Sequence, residues 1–224
     1  MLAPMLRALA VAGLAVTLCG CAGVGQPAPY DSPGINGLVI PTPSVAPDDF
    51  VEVVDNPWLA LEPGATWSYD VVQSDGGIDS EVGSIEAEVL DSTTDVAGLS
   101  ATAVTTSTEV DGERVDVTRF YAQDDDGNVW LVGLDALPGV SWRAGEDGAE
   151  AGLAMPADPR LGDGWLTYRL ADGDGASTAI EEQTPDLVQT RDEAATTTRN
   201  VYEKGVGLVG VADVDAGWTA ELRD

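Results

Sequence analysis

Asp124, Asp126 and Asn128 occupy alternate positions of one short Gly-containing segment. Oxygen-bearing side chains converging over a tight loop are the ligands that a hard cation such as Ca²⁺ prefers. The spacing begins like an EF-hand loop, but Gly127 stands at the fourth position rather than the sixth. No acid follows at the twelfth; Asp135 is the nearest. The same residues also suit a hairpin turn, with Asp and Asn capping backbone amides and Gly127 supplying the positive φ. Asp172-Gly173-Asp174 repeats the theme with only two carboxylates. A second constellation is Glu146, Asp147 and Glu150 near Trp142. Two carboxylates flanking a sugar-stacking Trp are the minimal parts of a glycoside hydrolase, a chemistry that needs no histidine. With 39 acidic residues in 224, such clusters also arise by chance, as solvated loops. Histidine is absent, which removes Ser-His-Asp and Cys-His nucleophile systems, His-bearing zinc sites and imidazole switches. The expectation is a protein without catalysis, with no cofactor apart from the Ca²⁺ candidate.

Cys21 carries a different chemistry. Arg7 is followed by Ala8 to Leu18, a run with no charged side chain, and then by Cys19-Gly20-Cys21. A short positive region, an apolar core and a small residue before the cut form an export signal. Leu18-Cys19-Gly20-Cys21 resembles the lipobox of bacterial lipoproteins, where the cysteine thiol is diacylated and the cysteine becomes the mature N-terminus. Cys19 cannot be the modified residue, because Leu18 would then fill the small-residue slot. Residues 1–20 are therefore read as a lipoprotein signal peptide and Cys21 as the lipidation site, a palmitate-type anchor. Acylation of Cys21 would leave the mature chain no thiol for a disulfide, so stability must come from burial and backbone hydrogen bonds.

The expected location is the bacterial cell membrane or outer surface, lipid-anchored within the envelope. The apolar run is too short to span a bilayer, which needs about 20 residues. The formal net charge of −29 excludes nucleic acid as a partner, because phosphate binding needs a basic footprint. It also predicts repulsion from anionic headgroups. A salty habitat or a coding bias toward Ala, Asp, Gly and Val would each produce such a balance, and the chain is not extreme enough to demand the first.

Positioning these residues falls to three regions. Residues 21–55 are rich in Pro, Gly and Ser, with prolines at 27, 29, 33, 41, 43 and 47, and read as an extended tether. Residues 56–224 read as one β domain. Trp67, Tyr69 and Val71 alternate with polar residues, as do Ile85, Ala87 and Val89. Asp111-Gly112 marks a hairpin between Thr102–Thr108 and Val115–Tyr121. Val129-Trp130-Leu131-Val132 is apolar on both faces and so central. Residues 135–163, with three prolines, read as an irregular stretch. Leu166, Tyr168 and Leu170 are expected on one face, as are Trp218, Ala220 and Leu222. No sustained helical repeat or internal repeat appears. The fold class is all-β, an antiparallel sheet forming a barrel, half-barrel or sandwich of about nine or ten strands.

Asn56-Pro57-Trp58 with Leu61 and Pro63-Gly64-Ala65-Thr66-Trp67-Ser68-Tyr69 opens the domain, Phe120-Tyr121-Ala122-Gln123-Asp124 with Asp126-Gly127-Asn128-Val129-Trp130 follows, then Ser141-Trp142-Arg143-Ala144-Gly145-Glu146-Asp147-Gly148-Ala149 running on through Gly152 to Met155-Pro156-Ala157, and Tyr202 with Gly205-Val206-Gly207-Leu208-Val209 ends it. In this order these runs resemble motifs of a group of uncharacterised exported bacterial lipoproteins. The resemblance spans most of residues 56–215 and implies a β-rich lipoprotein domain. It carries over no catalytic residue. Three functions remain open: a lipid-anchored binding or structural module with an envelope protein as partner, a carrier holding a lipophilic small molecule in a β cavity under a 135–163 lid, and a carboxylate-based hydrolase. Trp142, in the long irregular stretch, is the tryptophan expected to face a ligand or partner.

Overall fold

The computed structural model describes residues 47–137 and 139–223. Cys21, the signal and most of the tether lie outside the described residues. The fold is all-β, and it has more strands than the sequence announces. After a 3-10 turn at Pro47–Asp49 come β1 (Phe50–Val51), β2 (Thr66–Asp75), β3 (Ile78–Val89), β4 (Thr94–Val96), β5 (Leu99–Val110), β6 (Glu113–Asp124), β7 (Val129–Leu137) and β8 (Ser141–Arg143). The second half supplies β9 (Glu150–Met155), β10 (Gly164–Arg169), β11 (Gly175–Gln183), β12 (Leu187–Glu193), β13 (Thr197–Glu203), β14 (Gly207–Asp213) and β15 (Trp218–Leu222). That makes fifteen against the nine or ten expected. The surplus lies largely in β1, β4 and β8, which are too short to show an alternation, and in β9, which falls in the stretch expected to be irregular.

Each strand pairs antiparallel with its neighbours, and twelve of them close on themselves. The order β6-β5-β3-β2-β15-β14-β13-β12-β11-β10-β9-β7 returns to its start through β6–β7. The ring is not a regular barrel, because β7 changes partner along its length. Val129–Leu131 pair with β9, and Gly133–Asp135 pair with β8. The stretch 135–163, expected to be irregular, therefore supplies the strand that closes the ring. Closure leaves β1, β4 and β8 as short edges, which limits edge-to-edge aggregation.

Local chemistry explains the well-formed parts. Asp111 (φ 54°) and Gly112 (φ 80°) both take positive φ, the backbone of a two-residue I′ turn matched to strand twist. Tyr69 and Val71 on β2 are buried, as are Ile85 and Val89 on β3. Val129 to Val132 are all buried, as a strand paired on both sides requires. One expected face is not kept. The register of β10 shifts between Leu166 and Tyr168, so Leu166 is exposed while Trp165 is buried. A bulge inserts a residue and reverses the alternation beyond it.

The folded part takes in residues ahead of Asn56. Phe50 and Val51 pair with the end of β6, and Val54 is buried in the core. The segment 54–61 then lies across one mouth of the ring. Its backbone and side chains bond to Gln123 at the end of β6, to Gly127 in the β6–β7 turn, to Pro156 after β9 and to Gly205 between β13 and β14.

Candidate binding cavity

The interior of the ring is a cavity of about 410 Å³, with lining residues from every ring strand. That volume lies within the roughly 300–1,000 Å³ typical of small-molecule sites. Leu59, Ala60 and Leu61 close one end. At the opposite rim Thr108, Ala176, Ala194 and Thr196 line it, and Ala194 and Thr196 are exposed to solvent.

The wall has two chemistries. On the contiguous strands β14, β15, β2 and β3 it is apolar, with Leu208, Val211, Trp218, Trp67 and Ile85. There Tyr69 turns its hydroxyl away to donate to the Leu208 carbonyl at 2.8 Å. Burial pushes the Tyr69 phenol up to about 12. On β11, β12 and β13 the wall is polar, with Thr178, Asp192, Asn200 and Tyr202. The Asn200 amide donates to Asp192 Oδ2, while Asp192 Oδ1 is shielded from solvent and lacks a hydrogen-bond partner among the described residues. Burial raises the Asp192 carboxyl above its ordinary value, against the opposing pull of Thr178, Thr190, Asn200 and Arg119. Burial likewise raises the Tyr121 and Tyr202 phenols, so both remain neutral donors at ordinary pH.

Arg119 enters the cavity from β6, between Val117 and Tyr121 on the same face. Among the described residues it is the only cation in the lining and Asp192 the only carboxylate. Every other arginine among the described residues pairs with an Asp or Glu. Arg119 forms neither an ion pair nor a side-chain hydrogen bond with any described residue, although the protein is strongly acidic. A guanidinium carries five donors in a rigid fork matched to carboxylate geometry, so this one is available to an incoming anion.

The residues singled out from sequence lie elsewhere. Asp124 and Asn128 are buried and bonded to each other: Asp124 Oδ1 accepts from the Asn128 backbone at 2.7 Å, and Oδ2 accepts from Asn128 Nδ2 at 3.0 Å and Trp130 Nε1 at 2.8 Å. Asn128 Oδ1 accepts from the Ala157 amide at 3.0 Å. Asp126 is exposed in the turn. Both oxygens of Asp124 are thus engaged by protein donors. Among the described residues no group of three or more Asp, Glu or Cys side chains is placed to hold a metal ion.

Asn56 joins this knot, donating from Nδ2 to the Gly127 and Pro156 carbonyls at 2.9 and 3.1 Å and accepting from Trp58 N at 2.8 Å. The Asn56-Pro57-Trp58, Asp124–Trp130 and Met155–Ala157 motifs therefore meet at the plugged end of the ring.

Glu146 and Asp147 are exposed in a tight turn with positive φ at Asp147, and Glu150 lies 3.6 Å from Arg169. Trp142 does not line the cavity. It is buried on β8 and packs against Tyr168, which does, with ring centroids 5.1 Å apart and 31° between planes. The nearby Arg143 guanidinium covers the Phe120 ring at 3.9 Å and pairs with Asp135 at 2.7 Å, which holds the Asp135 carboxyl below its ordinary value.

Sequence reasoning passed over Arg119, Asp192 and Asn200. Their signal was a charged residue in step with apolar ones, Arg119 between Val117 and Tyr121, on a strand that otherwise turns that face inward.

No family model and no curated protein matches the chain. Among solved structures it is similar to the crystal structure of a "putative lipoprotein" from Parabacteroides distasonis, at 8% identity and a TM-score of 0.36, over 75% of this chain and 97% of that one. Similarity at that level carries no argument about function.

Proposed function

We propose that the protein is a non-catalytic binding module, exported and held in the cell envelope by acyl chains on Cys21, that carries a lipophilic small molecule inside its strand ring. The observation behind this reading is the cavity itself: apolar on one wall, polar on the other, plugged at one end and open at the other. About eight strands already make an interior that side chains fill or one small ligand occupies, and this ring has twelve. Here Thr106 and Thr108 on β5, Ala176 and Thr178 on β11 and Thr198 on β13 leave room. The lipobox-like Leu18-Cys19-Gly20-Cys21 supplies the address, and the Pro-rich segment after it supplies reach.

Native mass spectrometry of the protein as exported by its host tests the carrier role. The expected spectrum shows a reproducible added mass in the small-lipid range, which organic extraction removes and identifies. A bare chain mass in gently prepared samples, together with no uptake of added lipophilic probes, would overturn it.

A further inference from the structure

We infer that the ligand is a single-chain carboxylate amphiphile, whose head is bound by Arg119 and whose chain lies against the β14-β15-β2-β3 wall. This rests on the carrier reading and specifies its ligand. The first ground is the unpaired state of Arg119. Arg119 is half-buried, and although Asp192 shares its lumen the two form no ion pair, whereas each other described arginine holds a carboxylate within ion-pair distance. A carboxylate accepted in the fork of Arg119 supplies the missing partner, with two parallel N–H···O bonds.

The second ground is the division of the wall. Arg119 on β6 is separated by β5 from Ile85 on β3, and Trp67, Trp218, Leu208 and Val211 follow on the next strands of the ring, so a head on Arg119 can lay its chain along that surface. Neutral ligands would leave the guanidinium unpaired and gain only the apolar wall. The volume of about 410 Å³ suits one chain rather than the two of a phospholipid. The acidic exterior repels anions at long range, so recognition of the head is confined to the interior cation.

Titration calorimetry on the full exported chain, carrying Cys21→Ser so that no detergent competes, tests this with dodecanoate and dodecan-1-ol as probes. The acid is expected to bind at least tenfold more tightly than the alcohol at pH 7.5. Arg119→Gln should erase that tenfold preference, so that acid and alcohol bind alike. Equal binding of acid and alcohol by the wild-type cavity would overturn the inference and leave the carrier reading standing. Binding of neither probe would overturn both. The comparison on unsubstituted Arg119 decides the matter even where Arg119→Gln folds poorly.

Discussion

At the scale of single residues, the interior carboxylate makes a pH-dependent statement. Asp192 is raised above its ordinary value of 3.8, chiefly by burial, so the folded protein binds its proton more tightly than the unfolded chain does. Stability from this group therefore falls as pH rises through the window above 3.8, and the penalty is complete once the folded carboxyl has ionised. Arg119 offsets part of the penalty by its positive charge; Tyr121 and Tyr202 face the same lumen as neutral phenols. Asp192→Asn keeps an acceptor for the Asn200 amide and removes the charge. It should raise the melting temperature at pH 7, by a margin that shrinks on acidification toward pH 4, as scanning calorimetry across that range would show. A constant margin, or a lower melting temperature at pH 7, would mean that ionised Asp192 is a net stabiliser.

Residue chemistry was partly legible in the sequence. Asp124, Gly127 and Asn128 were visible as a turn, and their hydrogen bonds show why the turn uses those residue types: one carboxylate satisfies a backbone amide, a side-chain amide and an indole. Arg119 and Asp192 were not visible as a pair. They are 73 positions apart on strands that do not pair with each other, and only closure of the ring brings them into one lumen.

Among the elements, alternation revealed the long strands and Asp111-Gly112 revealed their turn, because those signals are local. The closing strand β9 was hidden. Its six residues, Glu150 to Met155, follow a Gly- and Asp-rich turn and precede a proline, and their partners on β7 and β10 lie far away in sequence. The bulge between Leu166 and Tyr168 was equally hidden, since a register shift is a property of two strands and not of one. These two features meet at Gly152. A Cβ there would sit 2.2 Å from the Leu166 carbonyl oxygen and 2.7 Å from Thr167 backbone atoms. Backbone contacts of that kind relax only by moving a strand, so Gly152→Ala should push β9 away from β10 and loosen ring closure. The expected loss is about 1–3 kcal/mol, the usual range for overpacking a tight interior. Urea unfolding followed by tryptophan fluorescence would register it as a lower midpoint, and an unchanged midpoint would show that the seam tolerates the displacement.

The whole molecule combines a closed acidic domain with a proposed lipid anchor, and the two act in opposite directions at a membrane. A net charge of −29 gives an anionic bilayer no electrostatic reason to hold the protein. The repulsion reaches about 8 Å at physiological ionic strength, so a Pro-rich spacer readily lifts the domain beyond it. On the proposed lipoprotein reading, retention comes from the acyl chains, each buried methylene contributing about 0.8 kcal/mol, with more than one chain needed for stable anchoring. Cys21→Ser should therefore move most of the protein from the membrane fraction to the medium or periplasm, with the ring intact by circular dichroism and its ligand still bound. Membrane retention at the wild-type level, unaltered by a high-salt wash, would show that something other than the anchor holds the domain. Full release would separate the two roles: Cys21 places the carrier, and the cavity around Arg119 carries.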